Sequence, residues 1–355
     1  MKKSLKMGSA FIGIIVGAGF ASGQEILQYF TSFGYLGTIA AIIATALFAY
    51  LGMSLTRLGS RTQTVSHKEA IFSITGRGNI ISRILGNIVD CVIILTLFGV
   101  GVVMIAGAGP IFSQQFGLPA ALGSTVMVIL VMGTIMLNVQ KVIAIIGSIT
   151  PFLVLMVIAL AIYSLATMDS TFSSLEPIAK EQLSALPNWF LSAINYASFN
   201  IAVGASMAIV MGGTEKDEKI AGRGGLIGGL GLGILIILSH LAIFSKIDVV
   251  GSAKMPTLQI ADDISPVLGV VMAFILFGMI YNTAVSMLFS FTARFAPMGT
   301  PKFRWLVVIS GTAAYILSFV GFTELVSLFY PVIGYLGLFL VGALIFDDIR
   351  RKMNK

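Results

Sequence analysis

Residues 91–140 run for fifty positions without one charged side chain. About 20 apolar residues cross the hydrocarbon core of a bilayer, so this stretch alone holds two crossings. Its interior, "GAGPIFSQQFGLPAA", supplies the turn between them. Charge-free windows of crossing length recur at 7–24, 26–56, 142–168, 182–214, 224–245, 264–293, 305–323 and 325–346. With the long stretch counted twice, the windows predict ten membrane helices in one domain, residues 1–355. The chain is 57% hydrophobic and 10% charged, with mean hydropathy +0.99. A soluble domain carries about 25% charged residues, so this chain cannot cover its own surface in water.

The same composition removes several function classes. Net charge is +7, yet no basic, aromatic-interleaved patch exists to hold nucleic acid. The one cysteine, Cys91, excludes an internal disulfide, and His67 and His240 lie too far apart for a zinc-type cluster. No phosphate-loop pattern follows a strand, so neither an enzyme nor a resident cofactor is expected. The N-terminus, "MKKSLKMGSAFIGIIVGAGFAS", has the basic start of a secretory signal. Its apolar stretch continues past Glu25 to Phe30, and we read it as the first membrane helix.

Orientation follows from the basic residues between the windows. With both termini cytoplasmic, only Lys180, Lys246 and Lys254 of the 22 Lys and Arg residues fall outside. A wrong helix count would scramble that partition. The expected location is therefore the cell membrane, of bacterial inner-membrane type, spanned many times.

A weak repeat runs through the chain at about 180 residues. "ILTLFGVG" in helix three is echoed by "FILFGMI" in helix eight, with the Leu-Phe-Gly triplets offset by 179. Pro151 and Pro331 are offset by 180. Five helices per half is an odd number, so the second half must enter from the opposite face, an inverted repeat of about 7–168 and 187–347. The 180-residue offset carries Gly17 and Gly19 to Ala197 and Phe199, within "NYASFNIAVG" of helix six.

Helix one contains "GIIVGAGFASGQEILQYF", with Gly17, Gly19, Gly23 and Glu25 at mid-span. Glycine there weakens a helix by about 1 kcal/mol relative to alanine, and a carboxylate costs roughly 2.5–3.5 kcal/mol. Both penalties make sense if the helix unwinds. Freed amides face an anionic group and freed carbonyls suit a cation, provided that a ligand or cavity meets them. "VGAGFASG" is then a cradle for a solute carboxylate, and Ser198, Phe199 and Asn200 in helix six form the facing wall. In helix seven, Gly224, Gly225, Gly228, Gly229 and Gly233 fall on four-residue ridges and read as packing contacts. The segment "SAKMPTLQIADDIS" reads as an amphipathic external cap between helices seven and eight. "GSITP" in helix five is either an inner-gate weakness or a simple proline kink.

"GAGF" resembles the Gly-Ser-Gly-hydrophobic unwinding motif of the amino acid–polyamine–organocation transporters, which share the LeuT-type five-plus-five fold. "VGAGFASGQEILQYFTSFG" together with "MIYNTAVSML" is similar to the YkvI-type amino acid permeases. The resemblance implies an all-α membrane protein of ten helices, with helices one and six broken. It implies that backbone at Gly17, Ala18, Gly19 and Phe20 holds the carboxylate of the solute. From their own positions, Ser22 and Glu25, which follow the glycines at once, are read as further solute contacts, and Tyr281, adjacent to Asn282, as either a cavity residue or packing material. The resemblance also implies a sodium site from Gly13, Val16, Met279, Asn282 and Thr283, in which asparagine replaces the first of two hydroxyls.

The rival coupling ion is a proton, for which Glu25 and Asp90 are the candidates; Asp90 also reads as an interfacial charge. Glu25 could equally neutralise a solute amine. His240 has no visible partner and is read as structural. The expected function is secondary active transport of a small polar solute, an amino acid, coupled to Na+ or H+ by alternating access. Spore-germinant receptor subunits, ten-helix relatives in the same superfamily, supply the alternative of a ligand sensor without net transport. A channel is a third reading.

Overall fold

The computed structural model describes residues 2–63, 80–137 and 150–353 of the 355-residue chain. Among them there is no strand. The first expected span is divided into α1 (Lys2–Ile15), α2 (Ala18–Ser22) and α3 (Gln24–Tyr29), followed by a 3-10 turn, Thr31–Phe33. Then come α4 (Tyr35–Thr62), α5 (Ile80–Phe116), α6 (Ala120–Leu137) and α7 (Thr150–Ala166). The short α8 (Phe172–Lys180) precedes α9 (Trp189–Gly213) and α10 (Glu218–Ser245). Two further short helices, α11 (Ile247–Val250) and α12 (Pro256–Ile264), lead into α13 (Pro266–Phe295), α14 (Pro301–Ser318) and α15 (Phe322–Met353).

Among the described residues, six helices are individually long and apolar enough to cross a bilayer: α4, the Asp90–Phe116 part of α5, α6, α10, α13 and the Phe322–Arg350 part of α15. A seventh crossing is α9, which bends by 56° between Trp189–Ala205 and Met207–Gly213. The remaining expected windows are helical where described but fall short for local reasons. Helix one is interrupted, α7 supplies only a shorter apolar helix, Pro151–Ala166, and α14 opens on Lys302 and Arg304. The long charge-free stretch divides at 117–119, with Pro110 kept inside α5. His67, Lys68, Arg77 and most of "GSITP" lie outside the described residues.

Caps set the helix starts. Asn188 accepts from the amides of Phe190 and Leu191 to open α9, and Asp217 does the same for Lys219 and Ile220 at α10. Proline occupies the first turn of α12, α13 and α14, where a missing N–H costs nothing.

The glycine ridges of α10 behave as expected. Gly225 and Gly229 lie against backbone of Gly52 and Phe48 on α4, and Gly233 lies against Thr45. On the neighbouring ridge Gly224 and Gly228 meet Ser4, Met7, Gly8 and Phe11 of α1. Without side chains in the way, α10 seats both α4 and the first half of helix one at van der Waals distance. That seat fixes the interrupted helix against the scaffold.

Candidate functional site

Helix one is interrupted twice. Gly17 is extended (φ −99°, ψ −174°), ending α1 and starting the single turn α2. Gly23 is left-handed (φ 80°), a conformation that glycine adopts without steric cost, and it turns α2 into α3. The sequence marks the first break; the second is a finding of the structure.

The backbone ladder ends at Val16 N–H to Ile12 C=O (2.7 Å) and resumes at Ala21 N–H to Gly17 C=O (3.0 Å). Between these bonds lie the carbonyls of residues 13–16 and the amides of 17–20, the orphan groups that any helix end leaves. Past the break, the carbonyls are taken. The Ser22 hydroxyl donates to Gly19 C=O (2.8 Å) and accepts from Gln24 N–H (3.2 Å). Phe20 C=O accepts from Gly23 N–H, and Thr257 of α12 donates its hydroxyl to Ala21 C=O. Ser22 is thus a capping residue of the break, with its hydroxyl bound to the chain itself.

Glu25 sits on α3, 4% exposed, and turns back onto the break. A Cβ placed on Gly19 would fall on the Glu25 Oε1 and within 2.6 Å of its Cδ. The Tyr196 hydroxyl donates to the Glu25 Oε2 at 3.1 Å. Val16 and Phe20, on either side of the first break, are buried at 1% and 2% exposure. Gly17 caps α2 and Ala18 is its first residue.

Helix six corrects the sequence reading. α9 is helical through Ser198, Phe199 and Asn200, and its bend comes at 206 rather than in "SFN". Ser198 lies against Gly337 of α15, and Phe199 stacks on Tyr330 of α15 at 4.2 Å and 19°. The Asn200 side chain donates to Tyr196 C=O of its own helix (3.0 Å). A helix turns about 100° per residue, so the face toward helix one is instead Ser192 and Tyr196, one turn apart. Ser192 donates to Tyr29 C=O at 2.7 Å. Tyr196 also packs on Tyr29 (5.1 Å) and Phe30 (5.0 Å). Sequence reasoning missed Tyr196, although the 179-residue offset of the Leu-Phe-Gly triplets carries Gly17 to that position.

α13 packs on α2. The Thr283 hydroxyl donates to Met279 C=O at 3.0 Å, while the Asn282 Oδ1 is buried without a hydrogen-bond partner. An orphaned buried oxygen at the position where the resemblance puts a sodium ligand fits that cation. Gly13 and Val16, the other proposed ligands, stand on the α1 side of the break, where carbonyls are free of the ladder. Tyr281 does not join the site: its hydroxyl pairs with Thr134 on α6.

Asp90 pairs with Arg294 in a partly exposed ion pair, as an interfacial charge would. His240 has two partners that the sequence did not reveal. Its Nδ1 bonds the Thr31 hydroxyl (3.0 Å) and its Nε2 the Thr38 hydroxyl (2.9 Å). Among the described residues no cluster of His, Cys, Asp and Glu is arranged to hold a metal ion. The α12 segment packs as a cap, burying Pro256, Thr257, Leu258, Ile260 and Ala261. Gln114 at the end of α5 clasps it, donating to Met255 C=O (3.1 Å) and accepting from Met255 N–H (3.2 Å).

No protein-family model matches the chain. Over 351 residues it is 25% identical to the membrane protein YkvI of Bacillus subtilis (strain 168), covering 97% of this chain and 96% of that one. It is 26% identical to YyaD of the same organism over 345 residues, 96% of each. Among solved structures, MhsT in complex with L-phenylalanine matches with a TM-score of 0.62 at 19% identity, over 95% of this chain and 88% of that one. Inward-facing Mhp1 gives 0.63 at 15% identity, over 94% and 73%. A manganese transporter of Eremococcus coleocola gives 0.60 at 16% identity, over 98% and 78%. A twice-interrupted first helix, a bent sixth and likeness along almost the entire chain make this a LeuT-type, all-α, multi-pass membrane protein, similar to YkvI and YyaD.

Proposed function

We propose that the protein is a secondary transporter of an amino acid, with both termini cytoplasmic. The observation that carries this reading is the interruption of helix one at Gly17, where the chain passes into the single turn α2 that packs against Glu25 and α13. Unpaired peptide groups inside a membrane protein are tolerated where they meet a ligand or a cavity. The fold neighbours support it as well: MhsT was solved with L-phenylalanine, and the E. coleocola protein is a manganese transporter.

In this reading the amides of Gly17, Ala18, Gly19 and Phe20 face the solute carboxylate. Glu25 stands against Gly19 of the same turn, with the Tyr196 hydroxyl donating to it. Sodium, held by Gly13, Val16, Met279, Asn282 and Thr283, is the coupling ion that the orphaned Asn282 oxygen favours. The test is uptake of radiolabelled amino acids by the purified chain in proteoliposomes, with and without a sodium gradient. Saturable, gradient-driven accumulation is expected. Binding without flux would assign the chain to ligand sensing, and conductance far above carrier turnover would assign it to a channel.

A further inference from the structure

The carboxyl group of Glu25 lies over the Cα of Gly19, in a notch that only glycine leaves open. It therefore occupies the break itself, between helix one and helix six. Its hydrogen-bond donor is a neutral hydroxyl, that of Tyr196. Tyr29, on its own helix, and Tyr330, from α15, bring two more phenols within electrostatic reach. Among the described residues no lysine, arginine or histidine forms an ion pair with it. A carboxyl group so deeply buried needs a positive partner, and nothing described in the protein supplies one. The partner has to arrive from solution, as a proton or as a cationic group of the solute.

An α-amino acid carries its ammonium group within a few ångströms of its carboxylate. Glu25 touches the same short turn whose amides face the proposed carboxylate position, so one solute can reach both. We propose that Glu25 is the acceptor for the primary ammonium group of the solute, which takes the place of a proton on that carboxyl group as it binds. The proton leaves to bulk water; the O–H bond of Glu25 is replaced by N–H···O contacts from the ammonium. Tyr196 keeps its hydrogen bond to the second oxygen and holds the carboxylate in the notch. One carboxyl group cannot serve both cations at once. A proton using Glu25 is then exchanged for solute, which leaves sodium as the ion carried with it.

This inference rests on the transporter reading and is tested separately from it. The purified full-length chain is screened by thermal shift against the twenty proteinogenic L-amino acids. The best binder, its decarboxylated amine and its N-acetyl derivative are then titrated by calorimetry in two buffers of different ionisation enthalpy. The amine is expected to bind, and N-acetylation to weaken binding more than about tenfold. Binding is expected to release up to about one proton per ligand. Glu25→Gln should abolish that release and bind the amino acid more than about tenfold less well; Tyr196→Phe should keep the release. An N-acetyl derivative that binds as tightly as its parent, or binding that is independent of buffer in the unmodified protein, overturns the assignment while transport stands. These two readouts use the unmodified protein, so they hold whether or not Glu25→Gln folds. Absence of both binding and uptake for all twenty amino acids overturns the transporter reading together with this one.

Discussion

Gly19 carries no side chain because the Glu25 carboxyl group already fills the space that one would need. Gly19→Ala is expected to destabilise the protein by about 1–3 kcal/mol, the usual cost of overpacking. Combined with Glu25→Ala, most of that penalty should vanish. Thermal unfolding of both single variants and the double variant decides it, and equal penalties in the two backgrounds would place the clash elsewhere. At helix eight, Asn282→Ala should raise the sodium concentration for half-maximal uptake at least about tenfold. Uptake that already ignores sodium in the unmodified protein would leave that site without a role. Glu25 was legible in the sequence because a carboxylate inside an apolar run is too costly to be incidental. Its partner was not, since Tyr196 looks like any aromatic packing residue until the helix phase is known. His240 was missed for a related reason: its threonine partners, Thr31 and Thr38, are distant in sequence and ordinary in kind.

Helix one shows which signals of an interruption can be trusted. Gly17 lowers the cost of leaving the helix, since glycine is about 1 kcal/mol less favourable there than alanine, and the structure breaks there. "SFN" in helix six is polar too, but Asn200 hydrogen-bonds its own helix and the segment stays wound. Polarity alone does not unwind a membrane helix. The ridges of α10 were legible because a four-residue glycine spacing has a direct geometric meaning. Gly229→Val would drive a side chain into Phe48 backbone of α4, and a loss of about 1–3 kcal/mol or more is expected in thermal unfolding. Unchanged stability would mean that α4 and α10 do not meet there. At the N-terminal end of helix one, Lys3 pairs with Glu215 (3.1 Å), and Ser4 donates to Ile220 C=O (3.1 Å). The Lys3 ammonium holds the Glu215 carboxyl below the usual carboxylate range. A lowered folded value means that the tie is complete above that range and is lost as pH falls through it. Glu215→Gln should reproduce the loss at neutral pH, seen as faster hydrogen exchange in residues 2–15. Exchange as slow as in the unmodified protein would show that the tie does not hold α1.

At the scale of the molecule, hydropathy and charge carried most of the architecture. Windows of crossing length located the helices because backbone in hydrocarbon has few alternatives to a helix. What the windows could not register were the short helices α8, α11 and α12, which lie between spans and obey no length rule. The predicted orientation has its own test in a Cys91→Ser background. Lys254→Cys should react with an impermeant maleimide in intact cells, and Lys2→Cys only after permeabilisation; the opposite pattern would invert the topology.

The hydroxyl of Thr257 gives the cap a thermodynamic say in what happens beneath it. Lifting α12 strips Ala21 C=O of its donor in surroundings that offer no easy substitute, at a cost of about 1–3 kcal/mol. The packed position of this segment is thus favoured until water, or another donor, takes over that oxygen. The seating of α12 and the shape of the kinked first helix are two readings of a single bond.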